Sequence, residues 1–197
     1  MTTWVENPRG GRDRGPRGIA RAWVEVLIRP RRFFDHGVAP GDQAPGLVFA
    51  VVMAVAYAVL LAVFDPGRFP VGGPLRAAVV VLLVALLIAP AVLHLLAALQ
   101  TLCLMAVVSD RAGVSETVQV LAYATAPAPL AALPMVRLRV VACLYGAALL
   151  VVGLAEVHDT TTGRATLAGF LPAVLLFGYG FDGLGALVTL LQAWYII

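Results

Sequence analysis

The chain has 197 residues, 61% of them hydrophobic and 13% charged, with a mean hydropathy of +0.92. Soluble globular domains carry about 45–50% apolar and about 25% charged residues, so these proportions exclude a soluble domain and indicate a polytopic membrane protein. The net charge is +3, and all 14 basic residues are Arg, a side chain suited to bidentate contact with phosphate and lipid headgroups.

Residues 1–18 scatter Arg9, Arg12, Arg14 and Arg17 among Gly and Pro with little apolar surface to bury, which predicts a disordered basic tail. Beside a membrane span such a tail acts as a topology determinant or a contact to anionic lipid, and no nucleic-acid partner is expected. Residues 19–37 read as an interfacial amphipathic segment, since Arg21, Glu25 and Arg29 recur at helical spacing while Trp23, Val26 and Leu27 face the other way. Pro30 ends that helix, and the following Arg31, Arg32, Phe33 and Phe34 suit the headgroup layer. Arg29, Arg31 and Arg32 are the candidate lipid-headgroup contacts.

Residues 38–197 form the membrane domain, with spans expected over about 46–64, 75–108, 118–136, 140–156 and 165–195. The second is too long for one perpendicular crossing, but Ala89-Pro90-Ala91 offers no polar turn for a hairpin, so a tilted helix kinked at Pro90 is expected. Pro127, Pro129 and Pro134 interrupt the third, and Arg137 and Arg139 are placed in a tight turn before the fourth. The fold class is thus all-α: a polytopic bundle of five transmembrane helices with an N-terminal interfacial amphipathic helix. Eight arginines before the first span, with Arg111 and Arg164, fall on one side, against Arg68, Arg76, Arg137 and Arg139 on the other, which puts the N-terminus in the cytoplasm and the protein in the cell membrane.

The densest polar stretch between apolar runs is 153–165, where Glu156, His158, Thr162 and Arg164 form a candidate cluster. Glu156 ends a helix and Arg164 opens the next, each at the unfavourable end of its dipole, so a mutual ion pair is expected. His158 joins or titrates beside it, and Thr160 or Thr162 caps the fifth helix. Asp182, His94 and Tyr123 are the candidate intramembrane polar groups. Asp182 either faces the bundle interior or sits in an outer turn if its flanking glycines break the helix. His94 and Gln100 are expected to bond between helices, and Tyr123 to meet the carbonyl that Pro127 frees. Gly178 to Gly183 fits G-x-G-x-x-G but follows no strand, so it is no dinucleotide site. Cys103 and Cys143 lie apart in apolar runs and suggest neither disulfide nor metal site. No catalytic, cofactor-binding or metal-ligating residue is assigned, since only Glu156 and His158 approach an acid and base, without a nucleophile.

Three features, in order, resemble the Yip family, the Ypt/Rab-interacting membrane proteins, in its bacterial and archaeal branch. They are the amphipathic entry ending in Pro30-Arg31-Arg32-Phe33-Phe34; Val120-Leu121-Ala122-Tyr123-Ala124 with Pro127; and Gly153-Leu154-Ala155-Glu156-Val157-His158 followed by Thr162 and Arg164-Ala165. The resemblance covers roughly residues 22–185 and implies a five-span protein with a cytoplasmic N-terminus. The vesicle-trafficking role of the eukaryotic members does not carry over to a chain lacking their long acidic cytoplasmic domain. The expected function is a non-enzymatic membrane organiser or scaffold binding lipids or partner proteins; the alternative is a small transporter or channel subunit. Its partners are the bilayer, anionic headgroups and an unidentified membrane or cytoplasmic protein, with homo-oligomerisation open.

Overall fold

A computed structural model of the chain describes residues 15–69 and 72–196, and the backbone of residues 5–6 and 12–13. The tail expected to be disordered therefore lies largely outside the described residues. Within it, β1 (Val5–Glu6) pairs antiparallel with β2 (Arg12–Asp13), and residues 15–18 already belong to the first helix.

That helix, α1 (Gly15–Ile28), buries Gly18, Ala22 and Val26 along one stripe and carries the Arg21–Glu25 ion pair, 3.1 Å, away from it. After Arg29, α2 (Pro30–Gly37) opens with Pro30 in its first turn, where a missing N–H costs nothing. Both helices pack on the bundle. The Trp23 indole donates to the Ala126 carbonyl at 2.7 Å, and the Tyr145 hydroxyl donates to that of Leu27. Phe33 and Phe34, expected in the headgroup layer, are instead buried in the core, because α2 turns its aromatic face inward and its arginines outward.

The first long helix, α3 (Ala44–Phe64), ends where the Asp65 N–H still bonds the Leu61 carbonyl and Pro66 follows. The second runs unbroken for 34 residues, from α4 (Pro74–Leu83) through a π-helical segment at Val84–Ile88 into α5 (Ala89–Val107). Pro90 has no N–H for the carbonyl one turn back, and the chain absorbs that loss by widening just before it: Ala89 N–H reaches the Val84 carbonyl, five residues back.

The third expected span does not form a single helix. Residues 114–135 make α6 (Val114–Ala124), a turn at 125–127 and the short α7 (Ala128–Ala131). The prolines explain the break, since three missing donors in eight residues leave no helical ladder to continue. The Tyr123 carbonyl that Pro127 frees accepts from Ala126 N–H at 3.1 Å. From Thr117 to Ala124 every residue of α6 is buried, so this segment fills the centre of the bundle between α3, α5 and α8 (Val136–Val157). Arg137 and Arg139 belong to the first turn of α8 and not to a turn preceding it.

The last expected span is also broken. Here α9 (Thr162–Ala173) continues as a π-helical segment, Val174–Gly180, and then meets α10 (Gly183–Ala193) at a bend of 71°. Among the described residues, three helices are long and apolar enough to cross a membrane, at 44–64, 74–107 and 136–157, with the bent pair as a fourth element.

Candidate functional site

One end of the bundle is organised around the first half of α6. Gln119, polar yet fully buried, grips the linker after α2 on both sides of one residue: its Oε1 accepts from Ala39 N–H at 2.9 Å and its Nε2 donates to the Ala39 carbonyl at 2.7 Å. Glu116 accepts from Gly41 N–H at 3.0 Å. Gly46 lets α3 approach this clasp, because a Cβ there would lie 2.8 Å from the Gln119 Cα.

The aromatic face of α2 closes over the same region. Phe33 meets the Tyr123 ring edge-on with centroids 4.8 Å apart, and Phe49 of α3 meets it at 5.1 Å. Phe34 lies against Gly153, where a Cβ would come within 2.8 Å of both the Phe34 ring and Val120. The three stretches singled out in the sequence therefore converge on a single junction, each supplying a surface to the other two.

His158 completes this end. Asp159 adopts a left-handed φ of 45°, and Thr160 N–H reaches back to the Ala155 carbonyl at 3.0 Å, a helix-ending turn that swings His158 inward. Its Nε2 lies 3.4 Å from Thr117 Oγ1, its Nδ1 is buried without a hydrogen-bond partner among the described residues, and the residue is only 1% exposed. Burial lowers its pKa to about 4, and Arg111 pushes the same way against the opposing pull of Glu116.

The other end carries a ring of four charges. Arg139 donates through Nη1 to Asp182 Oδ2 at 3.1 Å and places Nη2 3.6 Å from Asp65 Oδ2. Arg68 donates to Asp65 Oδ2 at 3.2 Å and stands 3.6 Å from Asp182 Oδ2, so each carboxylate faces both guanidinium groups. Arg139 is anchored further by its Nε, which donates to the Ala131 carbonyl at 3.2 Å. Asp182 holds a left-handed φ of 58° at the break between the π-helical segment and α10, a conformation its two cations help to maintain.

Residues 24–182 match the family model of the Yip1 domain. The chain belongs to the Yip1 domain family. No curated protein and no solved structure matches it.

Within this Yip1 domain the polar residues at 156–164 do not gather into one site. Glu156 faces Arg31 at 3.6 Å, not Arg164, because α2 packs on α8 and brings Arg31 to its end. Arg164 makes no ion pair among the described residues, and it is Thr161, not Thr160 or Thr162, that caps α9, accepting from Arg164 N–H at 3.4 Å. Thr162 is exposed in the first turn of α9. His94 points away from the bundle and bonds its own helix at the Pro90 carbonyl, 2.7 Å, rather than a neighbour. Gln100 does bond between helices, donating to the Ala168 carbonyl at 3.1 Å. Arg29, Arg31 and Arg32 are all exposed on the outer side of the α1–α2 connection.

Sequence reasoning missed the Gln119 clasp and the charge ring. A lone amide in an otherwise apolar stretch was the signal for the first. For the second, Asp65, Arg68 and Arg139 flank apolar runs that a five-span topology brings to the same end, so their meeting was implicit in the arginine count.

Proposed function

We propose that this Yip1 domain is a non-enzymatic membrane organiser that gathers anionic lipid, or a protein partner bearing acidic groups, on the arginine face of α1 and α2. The observation that carries this reading is the division of α2: Phe33 and Phe34 are buried and Arg31 and Arg32 are exposed, so a rigid bundle presents a short cationic edge. Three guanidinium groups suit bidentate contact with phosphate, at about 1 kcal/mol per Arg near an anionic surface. The arginine asymmetry supports placing this edge on the cytoplasmic face of the cell membrane. As a transporter or channel subunit the chain would need a polar path, and the side chains proposed to line one are ill-placed: His94 faces outward and Asp182 is held by two arginines.

The test is energy transfer between full-length protein and a labelled anionic lipid in reconstituted vesicles. The wild type is expected to enrich the lipid around itself, with the enrichment lost at high salt and in the R29Q/R31Q/R32Q variant. Equal enrichment in that variant would overturn the proposal, and ion flux abolished by Asp182→Asn would favour the transporter.

A further inference from the structure

Between α3, the 34-residue helix and the α9–α10 break lies a cavity of about 360 Å³. Room is made on α3 by Ala50, Ala54 and Ala58, spaced one turn apart. Its other walls include the two places where the bundle departs from α-helical winding, Val84 and Ile88 of one π-helical segment and Leu176 and Gly180 of the other, beside Val92, Leu93 and Leu96 of α5. Such widened turns recur at functional sites. An apolar cavity of about 150 Å³ takes up benzene, so this one accommodates a longer hydrocarbon. Its walls belong to helices that turn Leu86 and Leu87 to the outside, so what reaches it comes from the bilayer.

One end of the cavity meets the charge ring. The Tyr57 ring stacks edge-on with Phe181 at 5.0 Å, both lining the cavity, and the Tyr57 hydroxyl accepts from Arg68 Nη2 at 3.4 Å. Arg139 is 7% exposed, whereas Arg68 and Asp65 are 25% and 22% exposed and Asp182 is 44%, so the accessible edge offers one cation, Arg68, and its most open anion is Asp182. The ring is electrically neutral as built. An anionic headgroup would leave an uncompensated negative charge there; a zwitterion with a primary ammonium leaves none, and its N–H groups give Asp182 donors that a quaternary ammonium lacks.

We propose that the chain binds one zwitterionic aminophospholipid here, with an acyl chain in the cavity, its phosphate on Arg68 and its ammonium on Asp182. This site lies at the opposite end of the bundle from the α2 arginines, so either proposal can fail without the other.

The test uses the full chain in phosphatidylcholine vesicles with a trace of phosphatidylethanolamine bearing a diazirine in one acyl chain. On irradiation, label should collect on peptides covering 50–61 and 176–181. Excess unlabelled phosphatidylethanolamine should reduce it several-fold, and the same excess of phosphatidylglycerol should not. Ala54→Leu, which fills the cavity, should lose the 176–181 label several-fold, and Asp182→Asn should reverse the headgroup preference. Label confined to the outer face of 75–107, or equal competition by the two lipids, overturns the proposal. The label positions and the lipid competition are read on the wild type and decide the proposal even where a variant fails to fold.

Discussion

A single residue links this fold to pH. His158 is neutral in the folded chain because burial disfavours its charged form, which lowers its pKa from the usual 6.5 to about 4. Between those values the unfolded chain binds the proton and the folded chain does not, so stability is fully present above about pH 6.5 and falls as pH drops toward about 4, by up to about 1.4 kcal/mol per pH unit. The thermal midpoint in detergent should decline over that window and level off below it. His158→Gln, which keeps a polar group beside Thr117, should flatten the profile; a profile as steep in that variant would assign the pH dependence elsewhere. The sequence placed His158 in a polar cluster with Glu156 and Arg164, and the structure turns it the opposite way. That reversal depends on the left-handed Asp159, which no glycine marks in the sequence.

Among the elements, α6 shows how polar side chains support a buried helix within a membrane domain. Gln119 pays its desolvation cost by satisfying both backbone groups of Ala39 where the linker crosses α6, the carbonyl accepting from Asp42 N–H as well, at 3.2 Å. Gln119→Ala should cost about 1–3 kcal/mol and, more diagnostically, should release the 38–43 linker. The measurement is amide exchange: faster exchange at Ala39 and Gly41 with α8 unchanged is the expected result, and uniform acceleration throughout would mean that Gln119 matters only for global packing. The longest helices were legible because continuous apolar runs leave few alternatives, and α3 begins and ends within two residues of its expected bounds. The central segment was not, because proline predicts a break without saying whether the chain bends on or crosses as separate pieces. The π-helical segments were illegible for a related reason: they follow from where the displaced hydrogen bond finds its next acceptor, which sequence spacing does not encode.

On the scale of the whole molecule, the two polar ends are connected by the long helices and must lie on opposite sides of the bilayer if those helices cross it. Thr117 beside His158 ties the start of α6 to the end of α8, so the 108–113 loop and the start of α9 share one end. The ring of Asp65, Arg68, Arg139 and Asp182 ties the α3–α4 loop to the start of α8 and the α9–α10 break at the other. The proposed orientation, drawn from the arginine asymmetry, puts the first end on the cytoplasmic side. After Cys103 and Cys143 are replaced by Ser, single cysteines at Asp110 and Gly163 should label from the cytoplasmic side and one at Gly72 from the outside; all three positions are exposed. Labelling of Asp110→Cys from the side that labels Gly72→Cys would mean that 74–107 does not cross, and that its 34 residues form a hairpin opened at the Val84–Ile88 segment. The ring offers an independent check, because it closes only if α3 and α8 have their Asp65 and Arg139 ends on the same side. Arg139→Gln leaves two carboxylates facing Arg68 alone. Breaking a buried pair costs about 3–5 kcal/mol, and the partial exposure of Asp182 places the expected loss near the lower figure. A loss of that size that is largely recovered in the Arg139→Gln, Asp182→Asn double variant would show that the ring is closed in the membrane, and hence that the two helices run antiparallel across it.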